Sequence, residues 1–213
     1  MPKQHFHNDA IIKHPSILRI PVILAALALM ACGNSGGSIG RSNNICTDFS
    51  CQEMLENLAD NVISPMIVDF ETKASSLDNA MTAWVETPTN EDLKLAARQS
   101  WADALLAWPS IEVVQTGPLI ENTFLLRDSI YSWPAVSTCV VDQEVIEADT
   151  QGENYDISNR TPVRKGLAAL EYILYTSTLD HTCPPTTNKT VNWNARTDSE
   201  RQTLRTQFAK TVS

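Results

Sequence analysis

Histidine is almost missing from this chain. There are four in 213 residues, and His5, His7 and His14 all fall near the start, leaving His181 alone in the rest. That poverty speaks against zinc hydrolysis: no His-Glu-x-x-His occurs, and a hydrolytic site needs about three protein ligands, a water position and a general base. Cysteine does not make up the lack. The five cysteines, Cys32, Cys46, Cys51, Cys139 and Cys183, include no Cys-x-x-Cys, which argues against a four-cysteine zinc site. No Gly-x-Ser-x-Gly elbow, phosphate loop or dinucleotide fingerprint is present, so serine-hydrolase and nucleotide-binding readings drop out. Positive charge is also short. Against 25 Asp and Glu stand 16 Lys and Arg, a net charge of −9, which argues against nucleic acid or an anionic lipid surface as partner. No period-two alternation is long enough to specify a sheet.

One long apolar run exists, Ile20 to Ala31, preceded by Lys13 and Arg19 and ending Leu29-Met30-Ala31-Cys32. It is too short to span a bilayer as a mature helix and reads as a secretion signal over residues 1–31 with a lipoprotein cleavage box. The three early histidines read as an over-extended start rather than a metal tract. Cys32 is then the lipidated first residue, anchoring the protein to a membrane. No aspartate follows it, so the expected address is the bacterial outer membrane, facing the periplasm or the cell surface. Residues 32–49, with Gly33, Gly36, Gly37 and Gly40, form a flexible tether. Removing residues 1–31 leaves 13 basic against 24 acidic residues, a net charge of −11.

Four cysteines remain after Cys32, an even number that suggests two disulfides in an exported domain. Three pairings exist. Cys46–Cys51 with Cys139–Cys183 is favoured, because Cys46 and Cys51 flank a short turn ahead of a helix.

The domain over 50–213 reads as all-α, an up-and-down bundle of about four main helices with long loops, stapled by disulfides. Ser50-Cys51-Gln52-Glu53 is a capping box. Apolar residues from Met54 to Trp84 then recur at three- and four-residue steps, predicting one helix over about 51–86, kinked at Pro65. Leu93, Ala97, Trp101, Leu105 and Trp108 predict a second helix up to Pro109, antiparallel to the first, its tryptophans serving as core anchors. Residues 111–122 read as loop, with Gly117-Pro118 as a breaker. A short helix through Phe124, Arg127 and Tyr131 stops at Trp133-Pro134. Residues 137–160 carry Asp142, Glu144, Glu147, Asp149, Glu153 and Asp156 and read as a solvated excursion, with no more than a helical turn at 143–148. Thr197-Asp198-Ser199-Glu200 is a second capping box, opening a last helix through Leu204, Phe208 and Val212. No internal repeat is evident.

Thr161 to Tyr175 is the stretch on which the rest is centred. Thr161 as cap and Pro162 at the first helical position mark its start. Val163, Leu167, Leu170 and Leu174 share a narrow arc that forms the core face. Arg164, Ala168, Glu171 and Tyr175 form a second stripe along its flank. A carboxylate there, with an arginine and a phenol beside it, suits a metal or a ligand. Arg127 is expected to reach Glu171 across the bundle. His181, in the loop beyond the helix, is a candidate replacement ligand whose default place is a solvent-facing loop.

Gly166-Leu167-Ala168-Ala169-Leu170-Glu171 resembles the signature of the imelysin-like family: a glycine, a histidine two residues on, and a glutamate three further. Gly117-Pro118, Arg127 and Trp133-Pro134 match a second pattern of that family. The resemblance implies a helical bundle that is the first half of a tandem pair, with the His-x-x-Glu element as metal-binding or active site. It also implies association with iron acquisition in some members and metallopeptidase activity in others. This chain keeps Gly166 and Glu171 but has Ala168 at the histidine position, and a methyl group donates nothing to a metal. The expectation is therefore an envelope-anchored, non-catalytic module for uptake of iron or another divalent or trivalent metal. Glu171 is its ligand, helped by Tyr175 or acids of the 142–156 segment, and its partners are envelope iron-uptake proteins. The alternatives are a metallopeptidase, or a metal-independent scaffold for another envelope protein.

Overall fold

The computed structural model describes residues 50–213; the expected signal, Cys32, the tether and Cys46 lie outside the described residues. Among the described residues there are seven α-helices and no strand. The expected first helix is present as α1 (Cys51–Leu58) and α2 (Ser64–Glu86), joined by a π-helical turn at Ala59–Ile63. That turn explains how the helix tolerates Pro65. A proline ring crowds the preceding turn and has no N–H to return to it, and widening the turn just ahead relieves both problems. Here the Ser64 N–H reaches back five residues, to the carbonyl of Ala59. Beyond it α2 buries Leu77, Met81 and Trp84, and the Trp84 Nε1–H donates to the carbonyl of Pro88 (3.1 Å), closing the turn into α3.

Asn90 caps α3 (Glu91–Val114), its side-chain oxygen accepting from the N–H groups of Asp92 and Leu93. The helix does not stop at Pro109, as the proline suggested, but runs on to Val114. Trp108 and Ile111 are buried on either side of the proline, and packing of that face offsets one lost backbone bond. Three residues with positive φ, Asn122, Thr123 and Phe124, then turn the chain sharply into α4 (Leu125–Ile130).

The largest departure from the sequence reading is α5 (Thr138–Gln151), where a solvated excursion was expected. Ser137 caps it through the Val140 N–H, and Val141 and Val145 are buried. Asp142 and Glu144 point inward with them. A buried face carrying two carboxylates has no clean apolar stripe, so its periodicity is masked.

The signature helix also starts later than expected. Pro162–Arg164 is a separate 3-10 turn, Thr161 makes no side-chain cap, Lys165 is extended, and α6 (Gly166–Tyr175) begins at the glycine. Gly166 has φ +73°, and a Cβ there would lie 2.3 Å from the Ser129 carbonyl oxygen and 2.5 Å from that of Ile130. The glycine is thus the point where the end of α4 presses on the start of α6. The rest of α6 buries Leu167, Ala168, Ala169, Leu170, Ile173 and Leu174, as befits a central helix.

α7 (Asp198–Val212) opens with the complete Thr197–Glu200 capping box and ties back to α2 through Lys210 and Asp78. The core lies between α2, α3, α6 and α7, with Trp84, Trp101, Trp108 and Phe208 inside it as core anchors. The Cys139–Cys183 disulfide joins α5 to the loop after α6. Closing 44 residues is worth about 4 kcal/mol in the chain-entropy account. Cys51 is disulfide-bonded as well. No described helix is long and apolar enough to cross a membrane.

Gly166→Ala is expected to destabilise the domain by about 3 kcal/mol, since both the backbone conformation and the close carbonyls resist it. Gly152→Ala, also at positive φ but facing open space, should cost about 1 kcal/mol. Urea unfolding of the two variants measures the difference.

Candidate functional site

Glu171 is half-buried on α6, and its carboxylate has no hydrogen-bond or ion-pair partner among the described residues. Its charge bears on Tyr131. Burial first, and then the negative charges of Glu171 and Glu112, push that phenol above its ordinary range. Glu171 on α6 and Glu112 on α3 therefore both lie within electrostatic reach of Tyr131, just after α4. Two carboxylates and a phenol are hard oxygen donors. Glu112 escaped the sequence reading because it falls in a stretch assigned to loop; Tyr131 was placed on a helix but not linked to the site. No spacing within a single element could have brought the three together.

The other candidates are held elsewhere. Arg127 does not cross the bundle: its Nη2 and Nε donate to Asp128 Oδ1 (2.7 and 2.9 Å), and its guanidinium lies 4.4 Å from the Phe124 ring centroid. The reason is local, because the reversal at 122–124 folds Phe124 under it. Arg164 leaves the Glu171 stripe because it belongs to the 3-10 turn rather than to α6. It donates to Glu144 Oε2 (2.6 Å), while Arg160 reaches Oε1 (2.8 Å) and the Tyr155 hydroxyl donates from 3.1 Å. Tyr175 packs edge-on to Trp101 (5.2 Å) and under the guanidinium of Arg98 (5.1 Å). His181 Nδ1 accepts the Cys183 N–H (3.1 Å), which ties the ring into the disulfide loop. Gly166 serves packing.

Ala168 sits where an imidazole would be needed, and it is 2% exposed. Nor do Asp142, Glu144, Glu147 and Asp149 of the 142–156 segment remain free to assist Glu171. Glu144, 1% exposed, is clamped by two arginines. Glu147 pairs with Lys189, which holds its carboxyl below the usual range, and Asp149 pairs with Arg196. Asp142 accepts from Arg205 Nη2 (2.8 Å), the Tyr172 hydroxyl (3.0 Å) and the Thr182 N–H (2.7 Å). Arg205 also donates to the carbonyls of Thr178 (2.8 Å) and Asp180 (3.1 Å) and stacks on Trp193. Burial, more than any neighbouring charge, pushes the Tyr172 phenol up to about 12, so it stays protonated and donates to Asp142. Among the described residues no three of His, Cys, Asp and Glu converge on a metal position. Of the groups near Glu171, the Tyr131 phenol is the one that feels its charge.

Fold and site together define an all-α bundle whose candidate ligand is a carboxylate on a glycine-started helix, with no imidazole beside it. The family model for imelysin, a peptidase family, matches residues 63–213, and the chain belongs to that family. Among curated proteins it is similar to the iron-regulated protein A of Synechococcus elongatus, with 25% identity over 126 residues, covering 59% of this chain and 32% of that protein. The matched part thus spans about a third of the relative's length. No solved structure matches.

Arg205→Met would take the counter-charge from the buried Asp142 carboxyl, and is expected to cost about 3–5 kcal/mol in chemical denaturation.

Proposed function

We propose that this chain is a non-hydrolytic, metal-binding module of the imelysin family that works in iron handling at the cell envelope, anchored through lipid on Cys32. The observation that carries the reading is the pairing of a buried Ala168 with a Glu171 carboxylate, one helical turn on, that has no hydrogen-bond or ion-pair partner among the described residues. An imelysin peptidase site would draw on an imidazole at that position. Here the position is closed by packing, and the one histidine of the described residues is occupied in its own loop. Hydrolysis would need nitrogen ligands and a general base that this set does not provide.

The oxygen donors Glu171, Glu112 and Tyr131 fit a hard cation such as Fe(III) better than a soft one. The two carboxylates would neutralise charge, and the tyrosine would add a phenolate when metal displaces its proton. The name of the iron-regulated relative supports iron as the metal. Envelope anchoring rests on Leu29-Met30-Ala31-Cys32 and on the acidic, disulfide-bonded domain that follows. Envelope iron-uptake proteins are the partners this reading calls for.

The test is titration of the mature chain with Fe(III), alongside Glu171→Gln and Glu112→Gln. The expected result is stoichiometric binding, weakened about tenfold or more by either change, with the melting temperature of the metal-free protein nearly unchanged. Equal affinity in all three proteins contradicts the site. Chelator-sensitive cleavage of a protein substrate contradicts the non-hydrolytic reading.

A further inference from the structure

The loop that follows α6 helps to line a small pocket of about 90 Å³. Around it stand Lys94 from the first turn of α3, Thr176, Ser177 and Thr178 from the loop, and Gln202 and Arg205 from α7. No acidic residue lines it. In a chain with 25 Asp and Glu against 16 Lys and Arg, a pocket with two cations and no carboxylate runs against the overall charge. Its polar residues are rich in hydrogen-bond donors, so the chemistry it favours is that of an anion.

Several of those donors are unspent. The Lys94 ammonium has no hydrogen-bond or ion-pair partner among the described residues. Arg205, 1% exposed, commits Nη1 and Nη2 to Thr178, Asp142, Tyr172 and Asp180, but its Nε–H is buried with no partner. A buried donor left unmet is destabilising, and an acceptor that reached it would remove the penalty. The loop adds to the set. Its carbonyls at Thr178, Leu179 and Asp180 are taken by Arg205 and the Trp193 indole. The N–H groups of Ser177, Thr178 and Leu179, and the Ser177 hydroxyl, have no partner among the described residues. Successive free N–H groups in a turn are a recurrent way of holding anions. The negative end of the α6 dipole does not consume the cations, because Arg98 meets it by donating to the Leu174 carbonyl (2.8 Å).

We infer that this pocket binds a phosphate-sized tetrahedral oxyanion, either the free ion or the phosphoryl head of a larger molecule. The donors come from α3, α7 and the loop between them in space, around a volume that holds one such ion and little more. A tetrahedral anion offers acceptors to all three elements, whereas a planar carboxylate offers a single edge. Asp142 already balances the charge of Arg205, so Lys94 supplies the net attraction and the binding is modest. The pocket is independent of the Glu171 site and stands whether or not metal binds there.

The experiment titrates inorganic phosphate into the metal-free mature chain at constant ionic strength, read by calorimetry with chloride as the control salt. One phosphate per chain is expected, with a Kd of about 1 mM, and sulfate should compete for the same place. Lys94→Gln should weaken binding about tenfold and Ser177→Ala about threefold, with circular dichroism and the phosphate-free melting temperature unchanged. Arg205 is left intact, because the buried Asp142 depends on it. Lys73→Gln, on α2 and outside the pocket, should leave binding as it was, and so should Glu171→Gln, which separates this pocket from the proposed metal site. Phenyl phosphate bound as tightly as phosphate assigns the pocket to a phosphoryl head, and its exclusion assigns it to the free ion; either result supports the site. No saturable binding up to about 20 mM phosphate, equal affinity in Lys94→Gln, or the same loss in Lys73→Gln as in Lys94→Gln overturns the proposal.

Discussion

A buried ion pair, Asp142 with Arg205, sets the geometry of this domain. Both side chains are nearly sealed from water, and two charges so placed must be paired and supported by further hydrogen bonds or they destabilise the fold by several kcal/mol. The requirement draws four pieces of chain together. α5 supplies Asp142, α7 supplies Arg205, α6 supplies the Tyr172 hydroxyl, and the 178–182 loop supplies two carbonyls and an N–H. Committing Tyr172 to this cluster fixes the rotation of α6. Glu171, one residue earlier and so about 100° around the helix, is thereby turned away from the acid-rich side of α5 and toward α3 and the end of α4. The clamp of Arg160 and Arg164 on Glu144 repeats the device just upstream, and Gly166 lets the end of α4 come close enough to complete the arrangement.

Much of the fold was legible because its helices follow simple rules. The helices over Met54 to Trp84 and Leu93 to Trp108, the Thr197–Glu200 box and the Cys139–Cys183 bridge stand where pattern and cysteine count put them, although the first apolar stripe, expected as core, is buried only at Leu77, Met81 and Trp84. The failures share one cause, which is that tertiary contacts outweighed a local signal. Pro109 reads as a stop, yet the buried face of α3 carries through it. The acids of α5 read as solvated, yet arginines more than fifteen residues away in sequence accept two of them into the interior. Thr161-Pro162 reads as the start of a helix, but the chain breaks at Lys165 because Gly166 must take a left-handed conformation. A paired list of buried acids and distant arginines is not written in any window of sequence.

The candidate site divides in the same way. Glu171 and the loss at Ala168 were visible in six consecutive residues, since both lie on one helix. Arg127, Arg164 and His181 were drawn toward Glu171 by their chemistry alone, and each has a nearer or stronger partner. Glu112 and Tyr131 went unlinked to it because they come from two other elements, and only the close packing of α3, α4 and α6 brings them near. The proposed metal site thus keeps one residue of the family signature and draws its other donors from outside it. A histidine-free oxygen set would be a different coordination chemistry from that of a zinc peptidase, and the proposed site would survive the burial of Ala168.

That difference in ligand chemistry is open to direct spectroscopy. Iron K-edge X-ray absorption on the mature chain loaded with one equivalent of Fe(III) reports the first coordination shell without regard to turnover. The expected result is a shell of oxygen alone, with no outer-shell scattering from an imidazole ring, and a changed shell in Glu171→Gln. An imidazole pattern in the spectrum, or a shell identical in Glu171→Gln, would contradict it.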